Sequence, residues 1–95
     1  MGARSIERKL RKTSTRLRQL REELGVIDEQ LSQLVDDTET TSLRAVLGDN
    51  PEAAQEHREA AGQSEAMAKH RCHVVAEIDS LETKQDQLLD ELRLR

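Results

Sequence analysis

The sequence predicts an all-α protein: a long antiparallel helical hairpin, a coiled coil that pairs with a second copy into a four-helix bundle dimer. Three observations point to it. The 95 residues contain no Phe, Tyr or Trp and 36% charged side chains, a composition that cannot fill a rounded core but suits long helices. Apolar residues recur at alternating steps of four and three in both halves of the chain. The single proline stands in Leu47-Gly48-Asp49-Asn50-Pro51-Glu52, where helix-ending and helix-starting residues meet.

Helix one is expected over approximately residues 5–47. Ile6, Leu10, Thr13, Leu17, Leu20, Leu24, Ile27, Leu31 and Leu34 keep the four-three rhythm beyond four heptads, which marks a coiled-coil seam. With Leu10, Leu17, Leu24 and Leu31 at a, the d positions are Ile6, Thr13, Leu20, Ile27 and Leu34. Ser5 is placed to cap the start. Residues 36–42, Asp-Asp-Thr-Glu-Thr-Thr-Ser, are poor helix formers. Either helix one ends near Val35 and a short helix from Ser42 to Leu47 packs separately, or the helix runs through and turns Leu43, Val46 and Leu47 outward. The pairing rule below still holds at Ala45, which favours the unbroken helix.

The turn is expected at residues 48–51, with Gly48 at the helix C-cap, Asn50 at the next N-cap and Pro51 in the first helical position. Helix two follows over about residues 51–94. Its d column is Ala53, Ala60, Met67, Val74, Leu81 and Leu88, and its a column is His57, Ser64, Arg71, Ile78, Gln85 and Leu92. In a chain that reverses here, facing residues have numbers of constant sum, and a sum of 98 fits the seam. Leu10 then meets Leu88, Leu17 meets Leu81, Leu20 meets Ile78, Leu24 meets Val74 and Leu31 meets Met67. Each layer sets an a position against a d, as antiparallel coils require. Polar positions coincide as well: Thr13 falls opposite Gln85 and Thr41 opposite His57, a means of selecting register by buried polarity. Arg71 falls opposite Ile27, with its stem packed and its head reaching Asp28 or Glu23. Residues 1–95 thus form one hairpin domain with arms of about 65 Å.

A lone hairpin with so few large aliphatic side chains would be marginal against the entropy of ordering it, so a cover is expected. The e column of helix two, Ala54, Ala61, Ala68, Val75, Glu82 and Leu89, with Val35 from helix one, is apolar for most of its length. The expected cover is a second copy along this flank; a helix of another protein is the alternative. The opposite g flank is polar. There Lys9 would face Glu91 and Arg44 would face Glu56, whereas Arg16 would meet Lys84 and Glu23 would meet Glu77, like against like.

Charge distribution points to function. The net charge of -4 conceals a strong asymmetry. Residues 1–21 hold eight basic side chains against Glu7, and residues 22–56 hold ten acidic side chains against Arg44. Arg4, Arg11 and Arg18 share the b column, Arg8 lies at f and Lys12 at c, so this positive face points away from the seam. One reading is intramolecular, because antiparallel pairing brings Glu77, Asp79, Glu82, Asp86, Asp90 and Glu91 alongside. The other is a docking surface for an acidic protein or for the phosphates of nucleic acid. With no aromatic side chain to stack on bases, nucleic-acid binding would rest on phosphate contacts. Leu43, Val46 and Leu47 form a second candidate surface at the tip.

No reaction is suggested. The chain has no phosphate-cradling Gly-rich loop and no His-Glu-x-x-His. His57, His70, Cys72 and His73 lack the Glu-x-x-His pairing of bundle metal sites, and no metal, cofactor or small-molecule substrate is expected. No uninterrupted apolar run exceeds three residues, so no membrane partner is expected either. The lone Cys72 fits a reducing compartment, the cytoplasm. The expected function is a non-enzymatic coiled-coil interaction module or adaptor that self-associates and docks a protein partner through its basic N-terminal end. The alternative is a small nucleic-acid-associated, transcription-related regulator using the same basic face.

Overall fold

The computed structural model describes residues 2–48 and 50–94; Met1, Arg95 and Asp49 of the expected turn lie outside the described residues. Two helices account for nearly all of it, α1 over Ala3–Gly48 and α2 over Pro51–Arg93. They form an extended antiparallel hairpin, with no strand among the described residues.

α1 begins two residues before the expected Ser5 cap. The N–H groups of Ser5 and Ile6 donate to the Gly2 carbonyl at 3.0 and 3.2 Å, so Gly2 takes the capping position and Ser5 lies within the first turn. The helix then runs unbroken through residues 36–42. Thr38 Oγ1 donates to the Leu34 carbonyl at 2.8 Å, Thr40 Oγ1 to that of Asp36 at 3.0 Å and Thr41 Oγ1 to that of Thr38 at 3.1 Å. Hydroxyls bonded back to their own helix no longer offer the backbone a competing turn. Propagating a helix already nucleated is also cheaper than starting a new one, so the weak segment stays helical.

At the turn, Asn50 Oδ1 accepts the Glu52 N–H at 2.9 Å and the Asn50 carbonyl accepts the Ala54 N–H at 3.1 Å. This is the N-cap geometry read from the sequence, with Pro51 in the first helical position, where its missing N–H leaves no bond unmade.

The hairpin comprises two compact units, residues 2–24 with 73–94 and residues 25–72. In the first, Ile6, Leu17 and Leu20 are each 1% exposed, and Val74, Ile78, Leu88 and Thr13 are buried with them. In the second, Ile27 is the only apolar side chain buried among the described residues and Thr41 the buried polar one. Leu31, Leu34, Ala53, Ala60 and Met67 are half-buried there. Burial follows the a and d columns in both units. It is shallower in the second because Ala, Ser, Thr and His stand where the first unit has mostly Leu, Ile and Val.

Cross-helix polar contacts report the register within each unit. In the first, Gln85 Nε2 donates to Ser14 Oγ at 3.0 Å, and Arg16 Nη2 lies 2.9 Å from Glu77 Oε2. In the second, Arg71 Nε donates to Asp28 Oδ1 at 2.6 Å, Thr41 Oγ1 lies 3.4 Å from His57 Nδ1, and Arg44 Nη1 lies 3.3 Å from Glu56 Oε2. The numbers of each pair add to within five of the expected 98.

Two details add to the expectation. Thr13, buried in the layer it shares with Gln85, donates its Oγ1 proton to the Lys9 carbonyl at 2.8 Å, and Gln85 donates to the adjacent Ser14. The short hydroxyl reaches its own helix more readily than the opposite one. Among the described residues no buried side-chain nitrogen or oxygen is left without a partner. The expected clash of Arg16 with Lys84 is likewise avoided, because Arg16 reaches Glu77, one heptad from Lys84. A long side chain that stays half in water can take such a diagonal partner at little cost.

Candidate functional site

The basic face is built by helical periodicity alone. Positions b, c and f lie on the side of α1 opposite its a and d seam, and side chains there project away from α2. Arg4, Arg8, Arg11, Lys12 and Arg18 are all exposed. None makes an ion pair with a described residue. Three of the acidic side chains that antiparallel pairing brings alongside are used by other cations. Arg16 takes Glu77, Arg21 approaches Glu82 at 3.9 Å, and Arg93 takes Asp90 of its own helix at 2.8 Å. Arg16 and Arg21 stand at g and e beside the seam, within reach of α2, and the outer columns are not.

One feature of the same face escaped the sequence reading. Glu22, Glu29 and Asp36 occupy three successive f positions, and Glu39 follows at b. All four are exposed, and none has an ion-pair partner among the described residues. Seven-residue spacing was the available signal, and it is hidden when charge is summed by segment rather than by column.

The predicted self-association flank is less uniform than its apolar residues suggest. Val35 is 41% exposed and Leu89 44%, Ala68 is exposed, and Ala54, Ala61 and Val75 are half-buried. The e columns also carry Arg21 with Glu82, and Asp28, which Arg71 holds. Between Val75 and Leu89, the flank is therefore interrupted by an ion pair in the first unit.

At the tip, Leu43, Val46 and Leu47 are 61%, 78% and 76% exposed, the outward placement that an unbroken α1 requires. Leu43 and Val46 border a shallow groove with Thr38, Ser42 and His57. Leu43 and Leu47 border another with Asn50 and Ala53.

Arg71 behaves as a register element. Its hydrogen bond to Asp28, and then the Asp28 charge, raise the guanidinium pKa above its usual value. Its head is thus engaged within its own unit. Cys72 is free and exposed. Among the described residues, no three His, Cys, Asp or Glu side chains gather into a group able to hold a metal ion, and no helix is long and apolar enough to cross a membrane. No protein-family model, curated protein or solved structure matches the chain.

Proposed function

We propose that the chain is a non-enzymatic helical-hairpin interaction module that docks an acidic protein surface through Arg4, Arg8, Arg11, Lys12 and Arg18. One observation supports this above the others: five exposed cations share an outer helical face without an ion pair to a described residue, while Arg16 and Arg21, beside the seam, are paired. Like charges three and four residues apart, as in Arg4 with Arg8 and Arg8 with Arg11 or Lys12, repel by a few tenths of a kcal/mol each. An anionic partner would convert that repulsion into attraction and would speed encounter. Four of the five are Arg, whose forked guanidinium suits carboxylates bidentately.

Phosphate offers the same fork two oxygens, so the test must separate the two chemistries. Binding of an acidic helical peptide and of a random-sequence DNA duplex would be measured at about 50 mM and about 300 mM salt. The wild-type chain would be compared with one carrying Glu at all five positions. The expected result is peptide binding at the lower salt, abolished by charge reversal. Duplex binding about tenfold tighter than peptide binding would replace the protein reading with phosphate docking. Peptide binding unchanged by the reversal would overturn the assignment of the face.

A further inference from the structure

We infer that the acidic surface met by the basic face is the outer face of α1 in a second copy of this chain, with the two α1 helices antiparallel. This rests on the docking role proposed for Arg4, Arg11 and Arg18, and adds the identity of the partner. Two heptad columns carry it. On b, Arg fills three successive positions, Arg4, Arg11 and Arg18; on f, acids fill the next three, Glu22, Glu29 and Asp36. Columns b and f are only about 40° apart around a helix, so they form one stripe. α1 is unbroken across all six positions. Every one of these side chains is exposed and lacks an ion-pair partner among the described residues.

The order along the stripe selects the arrangement. Turning a second α1 end for end sets Arg18 against Glu22, Arg11 against Glu29 and Arg4 against Asp36. All three pairs share one register, because their numbers have the same sum, 40. Two-fold symmetry repeats them, giving six Arg–carboxylate pairs in a closed dimer. The intervening layers put Arg8 opposite Ser32 and Thr15 opposite Gly25, where the space around the glycine is open. A parallel pair in register would set like charge against like. A parallel pair staggered by 18 residues would match only three of the acids and leave free ends that add further copies. The antiparallel pair alone satisfies every member and closes.

Exposed pairs are individually weak and screened by salt. The expected dimer is therefore weak, with a Kd on the order of 0.1 mM at low ionic strength. Sedimentation of the full chain from about 10 µM to about 1 mM, at about 20 mM and about 300 mM salt, reads it directly. The wild type should move from monomer to dimer at low salt, with affinity falling about tenfold or more at the higher salt. One variant carries Arg4→Glu, Arg11→Glu and Arg18→Glu, and a second carries Glu22→Arg, Glu29→Arg and Asp36→Arg. Each should stay monomeric alone while keeping its helical circular dichroism, and an equimolar mixture should associate.

A dimer insensitive to salt and to both charge sets, but broken by Val75→Glu with Leu89→Glu, would assign association to the e flank and overturn the inference. Assemblies that keep growing with concentration would overturn the closed antiparallel arrangement. A wild type that stays monomeric at low salt yet binds the acidic peptide through its basic face would retain the docking role and refute the second copy as partner. A chain that does neither would refute both.

Discussion

Replacing Leu20 by Ala probes the seam at its tightest point. Leu20 is 1% exposed at a d position of the first unit, so the substitution deletes side-chain carbon that is entirely out of water. Such changes cost about 2–5 kcal/mol, more where the gap cannot close. A two-helix seam is open on both flanks, and the stems of Arg16 and Arg21 can settle toward the vacated volume, which favours the lower end, about 2–3 kcal/mol. For a chain of this size about 4–8 °C accompanies each kcal/mol, so the melting midpoint should fall by roughly 10–20 °C. Leu43→Ala supplies the comparison: the same chemistry on the same helix at 61% exposure, expected within about 0.5 kcal/mol of wild type. Both are read from thermal melts followed by far-ultraviolet circular dichroism at several concentrations. If Leu20→Ala costs under about 0.5 kcal/mol, Leu20 is not in the seam and the pairing rule is wrong. If Leu43→Ala costs as much as Leu20→Ala, the tip is covered in solution and its outward placement is refuted.

Hydrogen exchange should rank the two units: amides of residues 53–64, beneath a shallow seam of small side chains, exchange before those of residues 74–88, where Val74, Ile78 and Leu88 are buried; the reverse order would contradict the burial pattern. Asn50→Ala removes the acceptor of the Glu52 N–H and should cost about 1 kcal/mol, seen as a lower melting midpoint, whereas Asn50→Asp should retain most of the stability. Arg71→Leu replaces the polar a layer opposite Ile27 with an apolar one and leaves Asp28 to water, so the midpoint should rise and a salt-insensitive association should appear at micromolar concentration; a lower midpoint would mean that the Arg71–Asp28 contact stabilises the hairpin as well as fixing its register.

What could be read from the sequence divides by how much freedom a side chain has. Seam positions have little: the spacing of Ile6, Leu17, Leu20, Ile27 and Val74 was enough to place them inside, and the pairing rule anticipated Thr41 beside His57, Arg44 beside Glu56 and Arg71 on Asp28. Asn50 before Pro51 was legible because capping is a local matter. Arg16 was not, since a long side chain near the surface has several carboxylates in reach and column arithmetic cannot choose Glu77 over its neighbours. Thr13 was placed in the seam by spacing, but the acceptor its hydroxyl takes, the Lys9 carbonyl of its own helix, was not legible from the columns. Residues 36–42 stayed helical although their propensities argued otherwise, because continuity of a long helix outweighs the preferences of seven residues in it. On the outer face, the columns of Arg4, Arg8, Arg11, Lys12 and Arg18 followed from periodicity. That α2 would leave these cations unpaired did not, because segment charges alone made Glu77 and Glu82 look like their partners.

The outer faces of the two helices distribute their charge differently. A face that has only to be solvated mixes its charges, so that neighbours three and four residues apart can pair. α2 does this: Lys69 lies 3.9 Å from Glu65, Arg58 donates to Gln55 at 2.7 Å, and Arg93 pairs with Asp90. α1 sorts its outer residues into blocks instead, first Arg4, Arg8, Arg11, Lys12 and Arg18, then Glu22, Glu29, Asp36 and Glu39, then Leu43, Val46 and Leu47. Sorting sets like charges side by side at Arg4, Arg8, Arg11 and Lys12, at a cost of a few tenths of a kcal/mol for each such pair. The seam cannot account for the pattern, because folding constrains a and d and leaves b, c and f free. An external surface that reads the blocks can account for it, and a second α1 laid antiparallel presents carboxylates to the three b-column arginines at matching intervals.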